Sequence, residues 1–415
     1  MLNKEGSREL AYVVIVDEIN ELPGYDRVES ARIGGWRCIV PKGQFHAGDP
    51  GIYFEIDSKV PADNPAFAFL EKRHYKIKTQ KMCKSLSQGL LMHAEDFGWK
   101  NGLDADGHVL IYDPKNNSRI WYANGEDRFL TKELGITYAD DEDNQRKAPS
   151  VDKYKKMAQR HPAVFSKPFV RWLMKRKWGK NLMFLFFGKK KDKKNGWPEW
   201  VQKTDEERVQ NMPWILEDEG EWIITEKIDG SSTTFTMKRG RRKNEFYVCS
   251  RNVCFDSIDK PCYYDTNIYW EMAQKYDMFN VLNEFLERMP NSDWVTIQGE
   301  TYGVGVQRRD YSLIGHDFAA FNLITSDKGR WNSNAMKNLL ENAFNVPCVP
   351  VVESSFSFNQ LDQLNGETRL DKILTLAEGE SMIDGLPREG LVLRSVDGTR
   401  SFKAVSNSFL LRFHS

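Results

Sequence analysis

The sequence predicts an α+β protein, with a small β-barrel leading a larger domain of strands and helices. Three observations carry this. Short strands punctuated by turn signals crowd residues 10–95. Strands return from Glu221 onward, and the stretch Tyr269 to Arg288 between them has helical spacing. The strands and helices do not alternate as a strict βαβ series, which argues against a parallel doubly wound sheet.

In the leading part, Tyr12 to Val16 is an apolar run, and Arg27 to Ile33 alternates in part. Trp36 to Val40 follows a Gly-Gly turn, and Gly51 to Ile56 follows His46-Ala-Gly-Asp-Pro. Tyr75, Ile77 and Thr79 alternate with Lys76, Lys78 and Gln80, which predicts a basic strand. Its lysines, including Lys76, Lys78 and Lys81, suit either a nucleic-acid backbone or the charged outer face of an ordinary barrel. Residues 96–150 are polar, acidic and rich in turn residues, and are read as a hairpin or two and a linker. The later strands are Trp222 to Lys227, Ser232 to Lys238, Phe246 to Ser250, Trp294 to Ile297 and Gly390 to Arg394. The helix has Met272, Tyr276, Phe279, Leu282 and Leu286 along one face. The expected division is a barrel over 1–95, a linker and basic, partly helical segment over 96–196, and a catalytic domain over 197–415.

At 415 residues, with 40% hydrophobic and 12% aromatic content, the chain can bury more than one core. The longest apolar run, Leu182 to Phe187, falls far short of the roughly 20 residues of a membrane span. The opening MLNKEGSREL has no apolar signal region, so a cytoplasmic protein is expected. The 6 cysteines form no CxxC pair and no HExxH occurs, so reduced thiols packed as small hydrophobes are expected rather than a zinc site. Net charge is zero, but Lys153 to Lys194 holds 15 Lys or Arg against one acid, Asp192. Aromatics interleave with this charge, as in Phe169, Trp172 and Trp178. The pattern suits phosphate contact with base stacking, and equally an amphipathic helix or a solvated basic loop.

The chemistry concentrates in Thr225-Glu226-Lys227-Ile228-Asp229-Gly230-Ser231, an apolar strand running into a glycine turn, which puts Lys227 at the lip of a sheet. A KxDG match alone is common by chance. Here it is followed, in order, by Ser250-Arg251-Asn252, Gln298-Gly299-Glu300, Phe318-Ala-Ala-Phe321, Arg388-Glu389-Gly390 and Ser401-Phe402-Lys403-Ala404. This series resembles motifs I, Ia, III, IIIa, IV and V of the covalent nucleotidyltransferases: ATP-dependent DNA ligases, RNA ligases and mRNA capping enzymes. The sequence stops 12 residues after Lys403, leaving no room for the C-terminal OB domain of DNA ligases and capping enzymes. With SQGLL at 87–91 and KTDEERVQN at 203–211, the layout resembles the fifth RNA-ligase family, which has an N-terminal OB module and a C-terminal nucleotidyltransferase domain of antiparallel sheets and helices.

That resemblance implies an ATP-dependent RNA ligase, a monomer, joining 3′-OH and 5′-phosphate ends of nicked or broken RNA, RNA/DNA hybrids included. It implies Lys227 as the residue that carries AMP. Lys403 would neutralise the α-phosphate together with Mg²⁺ or Mn²⁺. Glu300, Glu389 and Asp229 would hold the metal directly or through water. Glu226 would meet the adenine edge, Phe321 its face, and Arg251 the ribose or the 5′-phosphate end. A lysine has an ordinary pKa near 10.4, so a nucleophilic one needs its pKa depressed by burial or by a nearby cation. Two positions depart from nick-sealing relatives: Val405, where some have a second lysine, and Ser232, where they have asparagine. The rival readings are a DNA ligase or capping guanylyltransferase with the same chemistry, and a non-catalytic RNA-binding protein on a degenerate scaffold.

Overall fold

A computed structural model of the chain describes residues 1–2, 6–122, 129–139, 167–174, 197–203, 205–255 and 267–413. Two compact units result, one comprising 1–138 with 197–415 and the other 139–196. In the second unit the described residues centre on a helix, Pro168–Met174. It buries Val170 and Leu173 and leaves Phe169 and Trp172 exposed and stacked on each other, with ring centres 5.9 Å apart. The rest of the basic segment 153–194 lies outside the described residues.

The first unit opens with two antiparallel sheets. One joins Ala11–Ile15, Pro50–Phe54 and Leu90–Met92, and the other joins Glu18–Glu21, Val28–Ile33 and Trp36–Pro41. Their inward residues form two adjoining cores, one around Ile52, Phe54 and Phe67 and one around Trp36, Cys38 and Tyr53. Residues beyond 95 add to the first core. The sheet Lys100–Leu103, Val109–Asp113, Ser118–Tyr122 buries Ile111 and Trp121 there, beside Leu130, Leu134 and Ile136. The expected basic strand is shorter than its alternation suggests, covering only Lys76–Ile77. His74 and Tyr75 just before it have φ of 53° and 59°, left-handed values that turn the chain sharply. Cys83 and Lys84 are left-handed as well and close the tight hairpin between Gln80–Met82 and Ser85–Ser87.

Two further antiparallel sheets dominate the C-terminal part. The first has four strands, in the order Val351–Phe356, Trp222–Lys227, Gly390–Ser395, Ser401–Val405. The second has six, centred on Ser231–Lys238, Trp294–Gly303 and His316–Thr325. Successive residues of a strand face opposite sides, and both sheets exploit this. In the four-stranded sheet Trp222, Ile224, Leu391, Leu393, Phe402 and Ala404 enter one apolar core. Their neighbours Thr225, Lys227, Val392, Arg394, Lys403 and Val405 line a cavity instead. In the six-stranded sheet Phe235, Met237, Val295 and Ile297 pack against the helices Ile268–Lys275, Met278–Arg288 and Ser333–Phe344. The opposite face is buried but polar. Thr236 and Thr296 share a hydrogen bond of 2.6 Å, and Gln298 Nε2 donates to Gln202 O at 2.9 Å.

The single helix expected over Tyr269 to Arg288 is two, Ile268–Lys275 and Met278–Arg288. Asp277 sits between them at φ 47°, a left-handed residue that breaks the helical ladder, and the apolar spacing on either side does not reveal the break. Trp222 is fully buried against Phe358 and Phe402, so its loss would open a large cavity beneath the strand that carries Lys227. Trp222→Ala should cost about 3–5 kcal/mol in a urea unfolding experiment, whereas a value below about 1 kcal/mol would show that the core collapses to fill the space.

Candidate active site

The two sheets face one another across a cavity of about 410 Å³, and the polar sides of their strands supply most of its lining. Lys227 is the last residue of its strand and lies on this side. The chain then turns through Asp229 and Gly230 into Ser231–Lys238 of the other sheet, so one short turn links both walls. Gly230 is required there: a Cβ would sit 2.4 Å from the carbonyl oxygen of Thr301. Lys227 pairs in register with Gly390, which places Glu389 beside it, and Ser232 pairs with Glu300 on the opposite wall.

The Lys227 ammonium meets Glu389 Oε2 at 2.8 Å. Burial works against its charge, but Glu389, then Glu300 and Asp229, outweigh burial and hold its pKa above the ordinary lysine value. This corrects the expectation of a depressed pKa for the protein by itself, because the carboxylates dominate. Glu300 shows the other side of the balance. Burial pushes its carboxyl up to about 8, and although the Lys227 charge opposes this, Glu389 and Asp229 add to it. Asp229 is buried, and its backbone N–H donates to the Tyr311 hydroxyl at 2.6 Å.

Lys403 stands on the strand next but one to Lys227 and shares the cavity. Burial depresses its pKa, opposed by Asp205 and reinforced by the Lys227 charge. Asp205 bridges two cations, reaching Lys403 Nζ at 3.1 Å and Arg251 Nη2 at 2.8 Å. Phe321 lines the cavity half-buried, with the Arg394 guanidinium 5.7 Å from its ring centre. Glu226 behaves differently from the other expected residues. It lies on the core-facing side of its strand, 1% exposed, and its carboxylate accepts from the Ser381 hydroxyl and, at 2.8 Å, from the Met382 N–H. Its side chain thus anchors the loop around residue 381 while also bordering the cavity.

Of the expected residues, Lys227, Lys403, Glu226, Arg251, Glu300, Phe321 and Glu389 all border the one cavity, with Asp229 in the turn between. Ser232 and Val405, the two departures, border it too. Lys76, Lys78 and Lys81 lie apart from it on the N-terminal module, where Lys81 Nζ donates to Leu411 O at 3.1 Å at the end of the C-terminal helix. Sequence reasoning missed four charged lining residues, Asp205, Glu206, Arg208 and Arg394. The first three belong to the KTDEERVQN segment, quoted above for its resemblance but given no role. Its Arg208 pairs with Lys403 in a parallel bridge, and Glu206 binds Arg394 at 2.9 Å. Arg394 was legible as an arginine two residues from Val392 on the pocket side of a strand.

A family profile for RNA ligase matches residues 220–405, and one for an OB-fold domain matches 10–94. No curated protein matches. Among solved structures, an RNA ligase of Naegleria gruberi with PPi is 27% identical, covering 97% of this chain and 98% of its own at a TM-score of 0.59. Two variants of that ligase, one with AMP and Mn and one with ATP and Mn, are each 26% identical and cover 98% of this chain and 99% of their own, with TM-scores of 0.61. The ordered motifs, the cavity they line and these matches agree: residues 220–405 match the RNA-ligase family and residues 10–94, on their N-terminal side, an OB-fold domain, and the chain is similar over nearly its whole length to an RNA ligase that forms phosphodiester bonds.

Proposed function

We propose that this enzyme is an ATP-dependent ligase that seals RNA ends bearing 3′-OH and 5′-phosphate through a covalent Lys227–AMP. The observation that carries the reading is the convergence of Lys227 and Glu389 from one wall and Glu300 from the other, with Asp229 in the turn between, at a cavity that Lys403 also lines. In the first step the Lys227 amine attacks the α-phosphorus of ATP and pyrophosphate leaves. AMP then passes to the 5′-phosphate of the RNA, and the 3′-OH displaces it to form the phosphodiester.

The amine must lose a proton before it can attack. Glu389 Oε2, at 2.8 Å, is within hydrogen-bond reach to receive it. Three carboxyl groups gather around one ammonium, and burial above all, with Glu389 and Asp229 adding to it, raises the pKa of Glu300; hard oxygen donors of this kind suit Mg²⁺ or Mn²⁺. A cation held by Glu300 and Glu389, with Asp229 directly or through water, would offset the charge that keeps Lys227 protonated and would screen the α-phosphate. Lys403 and Arg251 stand ready for anionic groups, since Asp205 already bridges them. Phe321 offers a flat, half-buried face for the base. The N-terminal module would hold the RNA, with Lys76 and Lys78 on phosphates. Lys81, whose Nζ donates to Leu411 O, would join them.

Incubation with labelled ATP or GTP and a divalent metal, followed by a denaturing gel, tests the first step. ATP label should appear on the wild type and vanish in Lys227→Ala. Label retained in that variant rejects the assignment, and label from GTP instead favours a guanylyltransferase. Glu300→Ala and Glu389→Ala should each lower sealing by roughly 10² or more while the proteins stay folded; wild-type sealing in both would remove the metal site. The double variant Lys76→Glu/Lys78→Glu should keep self-adenylation, bind nicked RNA more weakly and show a shallower dependence of affinity on salt. An unchanged salt slope would place the RNA elsewhere.

A further inference from the structure

The strands Trp294–Gly303 and His316–Thr325 are joined by residues 304–315, a connection far longer than the two to five residues of ordinary hairpins. Its side chains reach back to the turn after Lys227. Gln307 Nε2 donates to Gly230 O at 2.9 Å, and the Tyr311 hydroxyl accepts the Asp229 N–H. At the centre of the loop is Arg309, 2% exposed. Its guanidinium lies over the Tyr311 ring, 4.1 Å from the centre, and forks onto the buried Asp384 carboxylate through Nε and Nη2. Nη1 donates to the carbonyl of Pro387, two residues before Glu389. The rings of Phe409 and Phe413 in the C-terminal helix flank the same guanidinium.

We propose that Arg309 is a positioning residue for adenylate transfer: it ties Tyr311 to the 384–387 turn and so sets the spacing between the Lys227–Asp229 turn and Glu389. The inference rests on the reading of Lys227 as the adenylate acceptor. A buried arginine–carboxylate pair is costly to desolvate and is poor evidence for stability alone, so its other contacts indicate its role. Here every other contact leads to a segment that carries a site residue or to the C-terminal helix. The fork fixes the turn before Glu389. The stacked ring fixes the hydroxyl that Asp229 leans on. The Asp384 turn also follows Ser381 and Met382, which hold Glu226. Arg309 does not itself line the cavity, so its effect would come through these neighbours.

The test compares wild type, Arg309→Lys and Tyr311→Phe. Arg309→Lys keeps the charge and loses the fork, whereas Tyr311→Phe removes a single oxygen. Three readouts separate positioning from plain stability: thermal melting, Mn²⁺ binding followed by the Mn²⁺ EPR signal without ATP, and the single-turnover rate of adenylation across a metal titration. Both variants should melt as folded proteins and bind Mn²⁺ more weakly. Arg309→Lys should adenylate about tenfold or more slowly, with a right-shifted metal requirement, and Tyr311→Phe should move the same way by less. Unchanged Mn²⁺ binding and rate in folded variants would overturn the proposal. If Arg309→Lys does not fold, Tyr311→Phe decides alone: wild-type values reject the role and reduced values support it. Absence of label on the wild type in the same gel would instead sink the underlying reading of Lys227.

Discussion

Glu226 and Lys227 are neighbours in the chain and face opposite sides of one strand, and both sides are enclosed. That pleat constrains everything around it. The apolar side, with Trp222 and Ile224, needs a core, which Leu391, Leu393, Phe402 and the segment around Phe358 provide. The other side must then present Thr225 and Lys227 to the opposite sheet, and the paired strands follow the same parity, delivering Val392, Arg394 and Lys403 to the cavity. A slip of one residue in any of these pairings would exchange the two faces, sending Lys403 into the core and Phe402 into the cavity. The cost of burying a lysine unpaired and exposing a phenylalanine thus guards the register of the site as strongly as it guards the fold.

Charge completes what the pleat begins. A lone ammonium and a lone carboxylate in a half-buried cleft would each pay a large desolvation penalty, and pairing at 2.8 Å offsets it. Glu300 and Asp229 also act on Lys227, and burial, reinforced by Glu389 and Asp229, pushes the Glu300 carboxyl up to about 8. The resting arrangement therefore holds Lys227 as a cation and leaves the Glu300 carboxyl prone to protonation. Both effects pull toward the same ligand, a small divalent cation, which would relieve the carboxylates and loosen the hold on the amine in one event. Lys403 is shifted the other way. Its pKa falls through burial, and Asp205 is the anion beside it.

The strands and most of the site were legible because both depend on local pattern. The apolar run before Lys227, the glycine after Asp229 and the ordered motifs located Lys227, Glu300, Glu389 and Lys403 before any coordinates. What escaped depends on distant packing. The break at Asp277 arises from a left-handed residue inside a stretch with unbroken apolar spacing. The Lys76 strand was cut short by two left-handed residues that alternate perfectly with their neighbours in polarity. The side chain of Glu226 borders the cavity, and its hold on Ser381, 155 residues away, carried no signal in the motif. Arg309 carried no signal at all, since an arginine in a polar loop reads as solvated, and its burial follows from Asp384, 75 residues away.

The C-terminal helix Asn407–Phe413 draws these levels together. On one side its rings flank Arg309, and on the other Asn407 accepts from Gln88 Nε2 at 3.1 Å and Leu411 accepts from Lys81. Gln88 belongs to the SQGLL segment of the N-terminal module, whose main-chain carbonyl also holds the Tyr53 hydroxyl in that module's core. The helix start is secured by Glu378, whose carboxylate accepts the Asn407 N–H at 2.6 Å, a favourable place for a negative charge. A continuous path of packed and hydrogen-bonded groups thus runs from the OB-fold core through this helix to Arg309, Tyr311 and Asp229. The module also meets the cavity lining directly, since the Arg208 guanidinium lies 5.8 Å from the ring centre of Trp36 and Arg208 bridges to Lys403. Contiguity of this kind permits coupling without establishing it, because coupling also needs an element with two stable arrangements. The long 304–315 connection is anchored at Gly230, Asp229, Asp384 and Phe413 and not by a ladder of strand pairs, which is the kind of segment that can hold a second arrangement.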